Sequence, residues 1–517
     1  MLKAMQAELE REKQQLLLPG MQRPYFIEYR LDDFSSFEAV ANYGALTREE
    51  EGRQRVVRVT VRVGDYKLDS STGKGDGVVQ LAPGEDNPEA LRYALWTATD
   101  EAYKNALRSY SAKMAELQQF QDPRTEGDFS REKPVTHIEP LRKIEIDRKE
   151  WIRRIVDASG LYASAPEVHA FADKIQYSTA NIRAMTLNRY LVNTEGTVAR
   201  FGLSGYNNAI SVGTQAPDGM RLARDNGSVA ITADQLESWP AFRKQVIDDL
   251  KSLDDLSKAP LVDAEDYHGP VLFSGDAASD VMNRLFTGNI EADRPDLGTS
   301  ARTRGTYASS YKARVLPEFM SVVDNPLQTT FQGHSLLGAY KIDDEGVPAQ
   351  SVNVVTNGLL DSYLIGREPV RDFPSSNGHG RAAPGAPVHS RSGVLVFTSN
   401  HPVSPDDLNR QLLAMAKEQK RDVYAVETMG GEVPRLLYLV HPDGSRQLVR
   451  GAAFDELDNR SLRSEIRAAG NDPYVNESLG AVPQTIIVPS LLFGDIGVKR
   501  ATEEQQKLPY YPPPPSR

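Results

Sequence analysis

The chain has no cysteine among its 517 residues, which excludes disulfides, thiolate zinc sites and a cysteine nucleophile. Compartment does not follow from this, since a cysteine-free chain is stable in either redox setting. Long apolar runs are missing as well. A membrane-spanning helix needs roughly 18 apolar residues, and the best stretch, 481–498, is interrupted by Pro483, Pro489 and Asp495. No membrane span is expected. The opening residues are charged and amphipathic, unlike a secretory signal. A cytoplasmic location is therefore expected, or an extracytoplasmic one if an export signal has already been removed. A basic patch is the third absence. With 71 acidic against 60 basic side chains the formal charge is −11, and Arg and Lys are interleaved with Asp and Glu, which argues against direct nucleic-acid binding.

What remains is a soluble composition, 40% apolar and 25% charged, in a chain too long for one ordinary core. Residues 3–17 have a helical pattern closed by Pro19-Gly20. Strand-like runs follow at Pro24 to Leu31, at Phe37 to Leu46 and at Arg55 to Val63. In the last, Val57, Val59, Val61 and Val63 alternate with Arg58, Thr60 and Arg62, which predicts a strand with one buried and one wet face. Asn87-Pro88 opens a long helix with an apolar stripe through Leu91, Leu95, Ala98 and Ala102. These elements define an amino-terminal α+β domain, 1–120. The linker and middle α/β segment, 121–265, holds a helix capped by Asp147 with Glu150, a hairpin turning at Asn193-Thr194-Glu195-Gly196, and a helix expected from Thr232 with Gln235 to about Leu253. From 266 to 500, a short strand and a helix from Asp276 to Phe286 precede many short β runs, a β-rich, mostly antiparallel domain of sandwich or barrel type. A helix capped by Ser404 interrupts it. The tail, 501–517, contains four consecutive prolines and is expected to be extended and disordered. No internal repeat is evident.

Chemistry-bearing motifs are sparse. No Gly-x-Ser-x-Gly elbow, phosphate loop or dinucleotide fingerprint occurs. None of the eight histidines pairs with another at metal-ligand spacing on a helix or strand. His379, His389 and His401 cluster in a loop-rich stretch; one reading has them converge, with Asp372 and Arg381, on a metal or a peptide carboxylate, and exposed loop histidines are the ordinary alternative. Asn377-Gly378-His379-Gly380-Arg381 has the composition of a peptide-binding loop, since glycines allow close backbone approach and arginine grips carboxylates. His379, Arg381 and His389 are the candidate peptide-binding residues. Asp343-Asp344-Glu345-Gly346 lacks the ligand set of a calcium loop and is expected to be a charged hairpin turn.

Several stretches resemble the TldD/PmbA family, once labelled modulators of DNA gyrase: Tyr190-Leu191-Val192-Asn193-Thr194-Glu195-Gly196, Gly269-Pro270-Val271-Leu272-Phe273, Asp343 to Pro348 followed by Asn357-Gly358-Leu359-Leu360, Asn377 to Arg381, and Val488 to Phe493. Their order and spacing over residues 180–500 carry the resemblance. It implies an α+β amino-terminal region, a β-rich carboxy-terminal domain and usually a dimer. It also implies that one type of subunit holds zinc on an HExxxH helix with a later cysteine, and that a second type lacks the motif and pairs with the first. Placed on that pattern, Asn283, Arg284 and Gly288 stand roughly where His, Glu and His would be. Arginine stays protonated and is a poor ligand or base. The expectation is a PmbA/TldE-like subunit that binds peptide and has no cofactor or catalytic residue of its own. Zinc is expected in a TldD-like partner. The alternatives are a stand-alone hydrolase with a relocated metal site and a homodimeric peptide-binding scaffold.

Overall fold

The valines of the Arg55–Val63 pattern all lie inside the protein, but the strand that carries them is far longer than the pattern. In the computed structural model, which describes residues 1–71, 77–119, 125–263, 267–295 and 299–501, Phe26–Asn42 is one strand (β1) and Ala45–Arg62 the next (β2). The two runs expected at Pro24 to Leu31 and Phe37 to Leu46 are thus mostly one strand, turning back at Tyr43 and Gly44. Both of these residues have positive φ (50° and 82°), the geometry that matches strand twist in a tight hairpin. Val78–Leu81 (β3), Thr136–Ile138 (β4), Tyr177–Asn193 (β5), Val198–Gln215 (β6) and Arg221–Ala230 (β7) complete a sheet of order β3-β2-β1-β5-β6-β4, with β7 also on β6. Only β4 pairs in parallel. Strands from before residue 120 and after residue 176 therefore share one sheet. The Pro-rich tail beyond Ala501 lies outside the described residues, as do 121–124 of the linker.

One face of this sheet carries all four of the first helices. Ile27, Tyr29 and Leu31 of β1 meet Leu2–Gln15 (α1) and Pro88–Glu116 (α2), while Phe37, Ala39 and Ala41 meet Arg148–Ser164 (α3) and Trp239–Lys258 (α4). The caps are largely those expected. Asn87 accepts from the N–H groups of Glu89 and Ala90, and Asp147 accepts from that of Glu150. The box at Asp147 is only half formed, because Glu150 gives its carboxylate to Arg153 and Arg154. The helix expected from Thr232 begins later. Ala233–Gln235 is a short 3-10 turn, and Pro240, whose ring presets helical φ, starts α4 behind an extended Ser238.

The opposite face of the sheet is where the alternation misleads. Glu28, Arg30, Asp32, Arg58 and Arg62 point there, and all are buried. The second face is dry because the carboxy-terminal domain covers it; Arg58 Nη1, for example, donates to the Gly385 carbonyl at 3.2 Å. That domain has a six-stranded sheet (359–360, 352–356, 320–324, 394–399, 484–488, 474–478) and a seven-stranded one built around Tyr267–Phe273, Val423–Gly430 and Leu491–Arg500. Both press apolar side chains onto the helix from Gly275, with Phe273, Val281, Phe286, Phe397 and Phe493 in one core. The fold is α+β with a β-rich carboxy-terminal region, mixed rather than purely antiparallel, and no closed barrel among the described residues. No described helix is long and apolar enough to cross a membrane.

Candidate functional site

Ser274 caps the helix Gly275–Met282 by accepting from the Ala277 N–H, and the chain continues through a π-turn, Asn283–Thr287, to Ile290. Its apolar side is locked in the core. Asn283, Arg284 and Gly288 are on the exposed side. Arg284 lies 3.4 Å from Glu432 in a pair open to water. These residues do not fit zinc. An asparagine, a paired guanidinium and a glycine supply no imidazole, thiolate or free carboxylate. Asp276 and Asp280, a turn earlier, are raised by burial, Asp280 to about 6 with the charge of Asp276 adding to it. No third ligand-type residue completes a set with them among the described residues.

The histidines separate rather than converge. His379, expected on an exposed loop or at a metal, is fully buried at 0% exposure. Its Nδ1 lies 2.9 Å from Asn377 Oδ1 and its Nε2 3.2 Å from Asp324 Oδ1. His389 sits opposite Arg381 on a two-stranded ladder but turns outward to Asp293, 3.3 Å away, whose carboxylate raises its pKa. His401 is exposed, and Asp372 pairs with Arg302. Of the three candidate peptide-binding residues, only Arg381 joins a larger constellation.

That constellation is built on the stretch expected to be a charged surface turn. Asp343, Asp344 and Glu345 are buried. The turn closes at Gly346, whose φ is +80° and where a Cβ would stand 2.8 Å from Thr197 Cγ2, so the loop can press against the amino-terminal sheet only with glycine there. Asp343 accepts from the N–H groups of Glu345, Val347 and Gly380, and Asp344 from that of Ala382. Arg189 of β5 reaches across, with Nη1 2.5 Å from Asp344 Oδ1 and Nε 2.6 Å from Asp32 Oδ1. Arg30 Nε lies 3.5 Å from Asp32 Oδ2, and Arg381 Nε lies 3.4 Å from Asp344 Oδ2. Beside them Arg367 holds Glu195 at two points, 2.8 Å each, and its backbone N–H donates to Glu345 at 2.6 Å. Burial favours the neutral form of each acid, and the neighbours decide the outcome. Arg189 and Arg381 outweigh burial and hold Asp344 below the ordinary carboxylate range; Arg189 and Arg30 do the same for Asp32. Burial wins at Asp343 and at Glu345, where the charge of Asp343 adds to it, and both are raised. Along three consecutive residues, one carboxyl group held down thus stands between two that are pushed up. Sequence reasoning missed it, though the polar face of β1 (Glu28, Arg30, Asp32) was the available signal.

Comparison with known proteins agrees with this architecture. Residues 266–500 match the PmbA/TldA metallopeptidase C-terminal domain. A stretch of 121 residues is 30% identical to a protein named a metalloprotease in Methanocaldococcus jannaschii, covering 23% of this chain and 24% of that relative. The match therefore spans about a quarter of the relative's length. Solved structures with the same fold include a candidate modulator of a DNA gyrase from Thermotoga maritima (16% identity, TM-score 0.62, 96% of this chain and 99% of the other). TldE from Thermococcus kodakarensis is another, at 12% identity and a TM-score of 0.60, with 96% and 99% covered. At such identities the likeness is one of fold. Residues 266–500 thus form a carboxy-terminal domain of the PmbA/TldA metallopeptidase type.

Proposed function

We propose that this chain is a subunit without a zinc site of its own, which binds peptide and works beside a zinc-bearing TldD-like peptidase or a second copy of itself. The observation that carries the reading is the helix from Gly275. Its solvent side offers Asn283, Arg284 and Gly288 where the family pattern requires zinc ligands and a general base. Peptidase chemistry needs a metal-bound water and a group that takes its proton, and this face supplies neither. The chain's own contribution is recognition. An extended peptide gains main-chain hydrogen bonds by adding to a sheet edge, and Tyr474–Ser478 is such an edge in the six-stranded sheet. A relocated metal site is disfavoured by geometry, since His379, His389 and His401 have separate surroundings.

Zinc per chain, on protein purified without chelators or a histidine tag, tests this. Less than about a tenth of an equivalent is expected, with cleavage of an unstructured peptide appearing only after an HExxxH-bearing partner is added. Near one equivalent, lost in His379→Ala or His389→Ala, overturns the reading.

A further inference from the structure

Where the buried seam approaches the surface it forms one wall of a cavity of about 370 Å³, a size that accommodates a small organic molecule. Four cations line the cavity, Arg142, Arg189, Lys341 and Arg381, against two anions, Glu139 and Asp344. A local positive surplus is unusual in a chain of net charge −11. Two of the cations are matched: Arg142 lies 3.5 Å from Glu139, and Arg189 lies 2.5 Å from Asp344. Arg381 has to share the carboxylate that Arg189 already holds. Its guanidinium lies 4.0 Å over the Tyr340 ring, it is only 7% exposed, and its buried Nη1 has no hydrogen-bond partner. A guanidinium stays charged, and a buried N–H without an acceptor is costly, so Arg381 is left incompletely compensated in the cavity wall. Lys341 stands exposed at the rim. Much of the remaining wall is apolar, with Leu187, Phe201, Ile231, Leu336, Leu337 and Ile342.

We infer that this cavity binds an apolar organic carboxylate. Arg381 takes the carboxylate, Lys341 draws it in, and the apolar wall covers its body. The last residue of a peptide and a free apolar acid share this chemistry; only the peptide source rests on the peptide binding proposed above.

Calorimetric titration of the full chain with N-acetyl-Ala-Leu, with its carboxamide and with 4-methylpentanoate separates the cases. The acid peptide is expected to bind at least about tenfold more tightly than the amide, the effect of one charge-assisted contact. Arg381→Gln should remove that preference. Lys341→Glu, at an exposed position, should weaken the acid by about threefold or more and serves if the arginine variant fails to fold. Binding of 4-methylpentanoate as tight as that of the peptide assigns the site to free acids, and weaker binding assigns it to chain termini; both support the carboxylate site. If 4-methylpentanoate binds and neither peptide does, the site stands and is assigned to free acids alone. Equal affinity for acid and amide, or undiminished acid binding in the folded variants, overturns the site and leaves peptide binding standing. No binding by any of the three overturns the carboxylate site, while peptide binding at the Tyr474–Ser478 edge stands or falls by the longer peptide of the zinc experiment.

Discussion

The helix from Gly275 and the seam around Asp344 handle charge in opposite ways. On the helix, Arg284 is 30% exposed and its partner Glu432 is 75% exposed, so water competes for both and the pair holds little energy. In the seam, Arg189, Asp32 and Asp344 have lost their water, and each depends on the others for compensation. The helix is the place a motif search inspects, and it carries nothing the fold depends on beyond its apolar side. The seam has no zinc motif, yet it is where the amino-terminal sheet and the carboxy-terminal domain are keyed together. Position in a zinc-binding pattern and commitment of free energy are separate properties of a residue.

The contrast is broken most forcefully by Asp344→Ala. It leaves Arg189 and Arg381 buried without their shared counter-charge, and a loss of about 3–5 kcal/mol in urea unfolding is expected. A loss below about 1 kcal/mol would make the seam no different from the surface. Glu477 gives an intermediate effect. It accepts from Thr485 Oγ1 at 2.6 Å and from the Leu337 N–H at 3.2 Å, and burial pushes it up to about 7. An acid raised in the folded state contributes stability that is fully present below its unfolded value, near 4.5, and lost as pH rises through 7. Glu477→Gln should therefore raise stability at pH 8 by on the order of 1 kcal/mol and change little at pH 4.5. Parallel stability-versus-pH curves for the two proteins would refute this. The smallest effect is expected from Arg284→Ala, within about 0.5 kcal/mol by the same unfolding measurement. A larger loss would mean that the exposed side of the helix is structurally committed after all.

Local signals in the sequence were reliable where one residue acts on its own backbone. Asn87, Asp147 and Ser404 each accept the hydrogen bond that their type and position imply. The buried valines of β2 were equally plain, because alternation on one face needs no knowledge of the other. What could not be read was the nature of that other face. Arg58 and Arg62 look like water-facing residues until a domain some 300 positions later in the chain closes over them, as the 327-residue separation between Arg58 and Gly385 shows. Asp343 to Glu345 look like a solvated turn for the same reason, since Arg189 and Arg381 are brought to them only by the tertiary fold. His379 was misjudged because the glycines flanking it imply a mobile loop, whereas Gly378 and Gly380 pack tightly against Pro348 and Glu345.

The pairing of β1 with β5 also has a consequence during synthesis. Asp32 and Arg189, neighbours across that pairing, are 157 residues apart in the chain. At translation rates of 5–20 residues per second, roughly 10–30 s pass between the two leaving the ribosome. Throughout that interval the hairpin of β1 and β2 presents an open edge to the cell, with Asp32 paired only to Arg30 of its own strand. A nascent chain of this protein is thus most vulnerable to aggregation in mid-synthesis, and the late arrival of one arginine closes the window.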